Sequence, residues 1–104
     1  MNRLEQLQEF FEEDPRDPFN LYGLALEISK SDRLRGHTLF QQLILGFPDY
    51  VAAYYQSAVL AIELAKPDIA KDTIEKGMAW AKSKSDLKAY RELQQLWNEV
   101  EGEI

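Results

Sequence analysis

The chain has 104 residues, of which 45% are hydrophobic, and this is enough to fill the core of one domain. It contains no cysteine, so disulfide bonds, thiolate metal sites and a cysteine nucleophile are excluded. The formal net charge of -6 argues against non-specific nucleic-acid binding, because phosphate contacts need clustered Lys and Arg.

The first half of the chain predicts three helices, of which the first is amphipathic. Residues 2–14 carry Leu and Phe side chains at the three-and-four spacing of one helical face. Pro15 and Pro18 then prevent this helix from continuing, because proline lacks an amide hydrogen and restricts the residue before it. Pro18 suits the first turn of a second helix, which we expect over residues 18–29. A third helix follows over residues 33–45.

The second half predicts three further helices. The Gly-Phe-Pro sequence at residues 46–48 is a strong helix stop. Helices are then expected over residues 51–65 and 67–82, and a last amphipathic helix lies within residues 85–102. Gly77 is inside the helix over 67–82, where glycine costs about 1 kcal/mol relative to alanine. We therefore expect Gly77 to permit a close contact with the following helix.

Two segments of the chain share a pattern of large and small side chains. The first is Phe19-x2-Tyr22-Gly23-x2-Leu26, followed by Gly36-x3-Phe40 and then Pro48. The second is Tyr54-x2-Ser57-Ala58-x2-Ala61, followed by Ala70-x3-Ile74. Matched residues are 35 apart in the first part of the pattern and 34 apart in the second part. We therefore predict that one residue is inserted between the halves of the first copy.

This pattern resembles the tetratricopeptide repeat, a helix-turn-helix of about 34 residues with aromatic, small and proline positions at these places. The resemblance implies an all-α fold, a short right-handed α-α superhelix of helical hairpins with about five or six helices. It also implies a single domain over residues 1–104. Its predicted parts are a degenerate half repeat at 2–14, a first repeat at 17–48, a second repeat at 51–82 and a C-terminal capping helix at 85–102.

The resemblance further implies that the first helix of each hairpin lines a concave groove. The residues expected to line it are Asn20, Leu24, Glu27 and Ile28 in the first copy, and Tyr55, Val59, Ile62 and Glu63 in the second. Tetratricopeptide domains that clamp the acidic tails of chaperones use Lys, Arg and Asn on this face, and only Asn20 resembles that set. We therefore expect an apolar or mixed ligand, a peptide or helix of a partner protein. The alternative is that the chain's own N-terminal or C-terminal helix fills the groove.

Catalysis is not indicated by the sequence. His37 is the sole histidine, so a metal site with two histidines is impossible, and the glycine-rich phosphate-binding patterns are absent. No apolar run approaches the length of a membrane span and none stands at the N terminus, so we predict a cytoplasmic protein with no membrane partner. We predict no catalytic residue, no metal and no cofactor.

Two functions remain at this stage. The first is a non-enzymatic protein-protein interaction module, adaptor or co-chaperone-like, that binds its partner in the apolar groove. The second is a structural role, in which exposed helix faces pair with another copy and give a homo-oligomer.

Overall fold

Six α-helices make up the computed structural model, which describes residues 1–102. They are α1 (Arg3–Glu13), α2 (Pro18–Ser29), α3 (Arg33–Gly46), α4 (Ala52–Glu63), α5 (Pro67–Ser83) and α6 (Leu87–Gly102). The predicted all-α class and the helical hairpins are confirmed. The predicted domain runs to residue 104, and its last two residues lie outside the described part. Within residues 1–102 no helix combines the length and the apolar character needed to cross a bilayer.

Four of the helices begin at a side chain that accepts a hydrogen bond from the first helical turn. These side chains are Asn2, Asp17, Asp32 and Asp86, and the N···O distances are 2.8 to 3.0 Å. Each such cap contributes about 1 kcal/mol by satisfying an amide that the helix itself leaves unpaired. Pro67 opens α5, where its missing N–H costs nothing. The polar residues of the turns therefore set the helix starts.

The helices stack in chain order, so that each packs mainly on the ones before and after it. Helices α2 and α3 form one hairpin, α4 and α5 form the next, α1 packs on α2, and α6 packs on α5 and α4. Tyr54 ties α4 to the connection that follows α3, since its hydroxyl donates to the Pro48 carbonyl oxygen at 2.5 Å. The result is an elongated body of 42 × 29 × 19 Å.

Gly77 allows two helices to approach α5 at the same point. A Cβ added at Gly77 would lie 2.6 Å from the Cβ of Tyr54 on α4 and 3.0 Å from Cδ1 of Leu93 on α6. The predicted close contact with the following helix is therefore confirmed, and a contact with the preceding helix accompanies it.

The repeat register predicted for α2 is wrong. Phe19, which we matched with the core residue Tyr54, is 68% exposed, whereas Tyr54 is 2% exposed. The residues of α2 that are buried are Leu24, Ala25 and Ile28. They match the buried Ser57, Ala58 and Ala61 of α4 at a separation of 33 residues, not 35.

The two hairpins also turn differently, and this accounts for the change of register. At the end of α4, Ala65 has a positive φ of 59° and the N–H of Lys66 donates to the carbonyl of Ala61, which is the Schellman arrangement. At the end of α2, no residue has a positive φ, and the N–H of Asp32 donates to the carbonyl of Ile28 at 2.9 Å. The stretch that joins the first helix of a hairpin to the second is therefore one residue shorter in the first copy than in the second. The sequence pattern predicted that it would be one residue longer.

Candidate functional site

Helix α1 covers most of the surface that we predicted for the first copy. Leu24 and Ile28 are buried in one cluster with Leu7 of α1. The side-chain amide of Asn20 donates to two carbonyl oxygens near the end of α1, those of Phe10 at 3.2 Å and Asp14 at 3.1 Å. These three residues therefore hold the N-terminal helix in place. Leu24 and Ile28 also line a cavity of about 320 Å³, which Phe11 of α1 and Leu39 of α3 border, whereas Glu27 lies at a different and larger cavity.

The residues predicted on α4 lie at two different cavities. Val59 and Glu63 face the space between α2 and α4, where they meet Glu27. Tyr55 faces a smaller cavity of about 180 Å³ between α4 and α6. Ile62 is half-buried and packs against the cluster of side chains between α4, α5 and α6.

The larger cavity, which we call the α2–α4 cleft, has a volume of about 540 Å³. Its apolar lining consists of Gly23, Leu26, Phe40, Val59 and Leu60. Its polar lining consists of Arg3, Glu27, Ser29, Lys30, Arg33, Gln56 and Glu63. Within residues 1–102 no group of three His, Asp or Glu side chains is placed to hold a metal ion. An apolar floor with a polar rim is typical of a surface that binds an organic ligand or a peptide.

Two ion pairs lie on the rim of the α2–α4 cleft. Arg33, at the start of α3, is 3.5 Å from Glu63 at the end of α4, so this pair crosses one end of the cleft. Lys30 is 2.9 Å from Glu27 within the α2 segment. The Arg33 and Lys30 side chains are largely exposed, so each pair contributes at most about 1 kcal/mol. All four charged groups can therefore exchange their present partners for charges on a ligand at little cost.

Sequence reasoning missed Leu26, Lys30 and Gln56 as cleft residues. In the observed register, Leu26 and Lys30 are the counterparts of Val59 and Glu63 at a separation of 33 residues. The signal was present in the chain, because Leu21-x2-Leu24-Ala25-x2-Ile28 has the same spacing as Tyr54-x2-Ser57-Ala58-x2-Ala61. The segment Phe19-x2-Tyr22-Gly23 fits the aromatic and glycine positions of the family pattern better than Leu21-x2-Leu24-Ala25 does. It therefore favoured the wrong register of α2.

A cluster of polar side chains joins α3, α4 and α5 away from the cleft. The Gln41 side-chain amide donates to the hydroxyl oxygen of Ser57 at 2.9 Å and lies 3.5 Å from that of Thr73. It is also 3.4 Å from Nε2 of His37, which is 8% exposed. Because the Gln41 nitrogen is a donor, it favours a neutral His37 whose Nε2 accepts. The cluster satisfies buried polar groups at the junction of the two hairpins.

His37 makes the stability of the protein depend on pH. Burial, and then the positive charge of Lys66, lower the pKa of His37 below its ordinary value of 6.5. As pH falls below 6.5, the unfolded chain binds a proton that the folded chain does not, so the free energy of unfolding decreases. We expect this decrease to begin near pH 6.5 and to continue until the pH reaches the folded-state pKa. Above pH 6.5 His37 is neutral in both the folded and the unfolded chain, so it causes no loss of stability there.

Thermal unfolding between about pH 5.5 and pH 7 measures this effect, since Asp and Glu stay ionised over that range. The variant His37→Gln removes the only histidine, and we expect its melting temperature to be nearly constant over the same range. An equal decrease in the variant and the wild type would contradict the assignment to His37.

Comparison with solved structures identifies the family. The solution NMR structure of a tetratricopeptide repeat domain protein from Salinibacter ruber is 39% identical in sequence, with a TM-score of 0.81, over 86% of this chain and 91% of that chain. The chain belongs to the tetratricopeptide repeat family. A crystal structure of a tetratricopeptide repeat domain protein from Salinibacter ruber is 36% identical, with a TM-score of 0.80, over 85% of this chain and 100% of that chain.

A more distant tetratricopeptide repeat structure shares the fold. The TPR2B domain of yeast Sti1, in a complex with pHsp70, has a TM-score of 0.89 over 97% of this chain and 82% of that chain. Its sequence is 18% identical to this one, so the likeness concerns the fold alone. The chain matches no protein-family model, and comparison with curated proteins gives no match.

Proposed function

We propose that this tetratricopeptide repeat protein is a non-enzymatic, adaptor or co-chaperone-like module that binds a short segment of a partner protein in the α2–α4 cleft. The observation that carries the proposal is the composition of the cleft, in which an apolar floor is surrounded by polar groups of both charges. The yeast Sti1 domain in its pHsp70 complex supports the general mode of action, since it uses the same fold in a protein complex.

The floor of the cleft is suited to apolar side chains of a ligand. Leu26 and Val59 are half-buried, so part of each side chain still faces water. A ligand side chain that covers them removes further apolar surface from water, which contributes about 25 cal/mol per Å² before the costs of association. Phe40 and Leu60 also line the floor, and both are already buried in the folded chain.

The rim of the cleft is suited to the main chain and the charges of an extended peptide. Gln56 makes no side-chain hydrogen bond to another residue within the described range 1–102. Its amide can both donate to a carbonyl and accept from an N–H, as a peptide main chain requires. Arg3, Lys30 and Arg33 can bind acidic side chains, and Glu27 and Glu63 can bind basic ones. The ligand we propose is a mixed peptide with apolar residues between charged ones.

Selection from a phage-displayed library of random peptides tests the proposal. Selected peptides are expected to lose at least about tenfold in affinity for the variant Val59→Asp, because a carboxylate on the floor must be desolvated when the peptide binds. The matched control is Ala79→Asp, which places the same group on an exposed position of α5. Circular dichroism should show equal helicity for both variants. If Val59→Asp binds the selected peptides as well as Ala79→Asp does, the site is not in the α2–α4 cleft.

A further inference from the structure

Two aromatic side chains are exposed at the corner where α1 meets α2. Phe19 is 68% exposed and Phe10 is 52% exposed. They lie at the same corner, since the amide of Asn20, next to Phe19, donates to the carbonyl oxygen of Phe10. We call this surface the acidic aromatic corner, because the segment around it, residues 1–17, contains six carboxylates and two arginines.

The charge of the acidic aromatic corner is not neutralised within the described chain. None of the six carboxylates of residues 1–17 forms an ion pair with any residue in the range 1–102. Large apolar side chains surrounded by unpaired charge are typical of surfaces that bind a partner of opposite charge.

A surface of opposite character lies at the turn between α5 and α6. A cavity of about 470 Å³ is lined there by Lys82, Ser85, Leu87 and Tyr90, and Leu87 is 63% exposed. We call it the basic apolar pocket, because residues 82–91 contain four cationic side chains and one carboxylate. That carboxylate, Asp86, is already engaged as the cap of α6 by accepting from the N–H of Ala89. Lys84 and Lys88 pair with Asp49 and Glu92 at 3.9 and 4.0 Å, but these exposed pairs are weak and can exchange for charges of another molecule.

The two surfaces cannot meet within one molecule. Helix α1 packs on α2, whereas the basic apolar pocket is formed by α5 and α6 at the other end of the stack. The body is 42 Å long in its largest dimension, and the helices between the two ends are packed in a fixed order. A contact between the corner and the pocket must therefore join two molecules.

We propose that the occupant of the basic apolar pocket is a second copy of this chain, which inserts Phe19 against Leu87 and Tyr90. The six carboxylates of one copy then face the Lys and Arg side chains of the other. Because the two surfaces differ, the contact is head to tail, and a pair of copies keeps one free corner and one free pocket for further copies. Phe19, Leu87 and Tyr90 do not line the α2–α4 cleft, so we expect the contact to leave peptide binding intact.

The expected contact is weak and depends on concentration. One phenylalanine buries about 150 to 250 Å², whereas a stable interface buries about 1,200 to 2,000 Å² in total. Affinity in the range of roughly 10 to 500 μM is therefore expected at low salt. Salt should weaken the association, because exposed charges are screened over about 3 Å at 1 M ionic strength and about 10 Å at 0.1 M.

Sedimentation velocity of the full chain over a concentration series tests this contact. The variants Phe19→Ser and Leu87→Arg are each expected to reduce the association constant at least about tenfold, since one surface is lost in each. An equimolar mixture of the two variants is expected to form a species of two chains and no larger one. In that mixture, the intact Phe19 of one variant meets the intact pocket of the other. The matched control is Leu45→Ser, which removes an apolar residue that is 83% exposed on α3.

The proposal stands if the wild type and Leu45→Ser associate alike, the two single variants do not, and their mixture forms the two-chain species. A wild type that sediments as a monomer up to about 500 μM at low salt would overturn it, since that is the weakest affinity expected. A mixture that stays monomeric, or a loss of association in Leu45→Ser equal to that in Phe19→Ser, would overturn it as well. Circular dichroism confirms that each variant is folded.

Discussion

Replacing Gly77 with alanine is expected to lower the free energy of unfolding by about 2 kcal/mol. The added methyl group would lie 2.6 Å from Cβ and 2.9 Å from Cγ of Tyr54, and 3.0 Å from Cδ1 of Leu93. Atoms so near the Tyr54 backbone cannot swing aside, so α4 or α5 must shift, and overpacking of this kind costs about 1 to 3 kcal/mol or more. The gain in helix propensity, about 1 kcal/mol, offsets only part of this cost.

The matched control for this prediction is Gly46→Ala at the end of α3. A Cβ at Gly46 meets no atom within 4 Å, and this glycine does not have a positive φ. We expect its free energy of unfolding to stay equal or to rise by up to about 1 kcal/mol. Urea unfolding measures both variants, and a difference of about 2 kcal/mol corresponds to roughly 8 to 16 °C in melting temperature. Equal stability of the two variants would show that the close approach of α4, α5 and α6 is absent.

Replacing Phe40 with alanine is expected to cost about 3 to 5 kcal/mol, the largest effect that we predict. The Phe40 side chain is fully buried between α2, α3 and α4, and its ring meets that of Tyr22 edge-on at 5.7 Å between centroids. Its removal leaves a cavity beneath the α2–α4 cleft. Because a domain of this size is stable by about 5 to 15 kcal/mol in total, the variant is expected to be partly unfolded at moderate temperature.

The control for Phe40→Ala is Phe19→Ala, which removes the same side chain from an exposed position. We expect Phe19→Ala to change stability by no more than about 0.5 kcal/mol. The pair also tests the register of α2, because in the register that we first predicted Phe19 would be a core residue. Thermal and urea unfolding of both variants decide between the two registers. If the two variants are destabilised to a similar extent, Phe19 is a core residue and the register first predicted is correct.

The family and the order of the helices could be predicted from local sequence. Asp17, Asp32 and Pro67 mark helix starts by hydrogen bonding or fixed dihedral angles that depend only on neighbouring residues. The second copy, with Tyr54 and Ala58 in the core, was also placed correctly, because both residues are buried as the family pattern requires.

The orientation of α2 could not be predicted in the same way. Its sequence is apolar almost all round, so two different faces satisfy the three-and-four spacing of a helix. One face contains Phe19 and Gly23, and the other contains Leu24, Ala25 and Ile28. The choice depends on which face finds partners, and Leu7 of α1 packs against the second. The error of two residues in register then changed which residues of the first copy stand opposite Val59 and Glu63.

By itself, the sequence determined a cysteine-free, acidic, all-helical chain of stacked hairpins, because capping, proline stops and hydrophobic spacing act between neighbours in the chain. Only the tertiary structure decided that Leu24 and Ile28 support α1, and that Leu26 and Lys30 join Val59 and Glu63 at a cleft. It also decided that the exposed Phe19 and the basic apolar pocket lie at opposite ends of the stack. Which face of an apolar helix is covered depends on contacts between residues far apart in sequence, and local patterns do not record them.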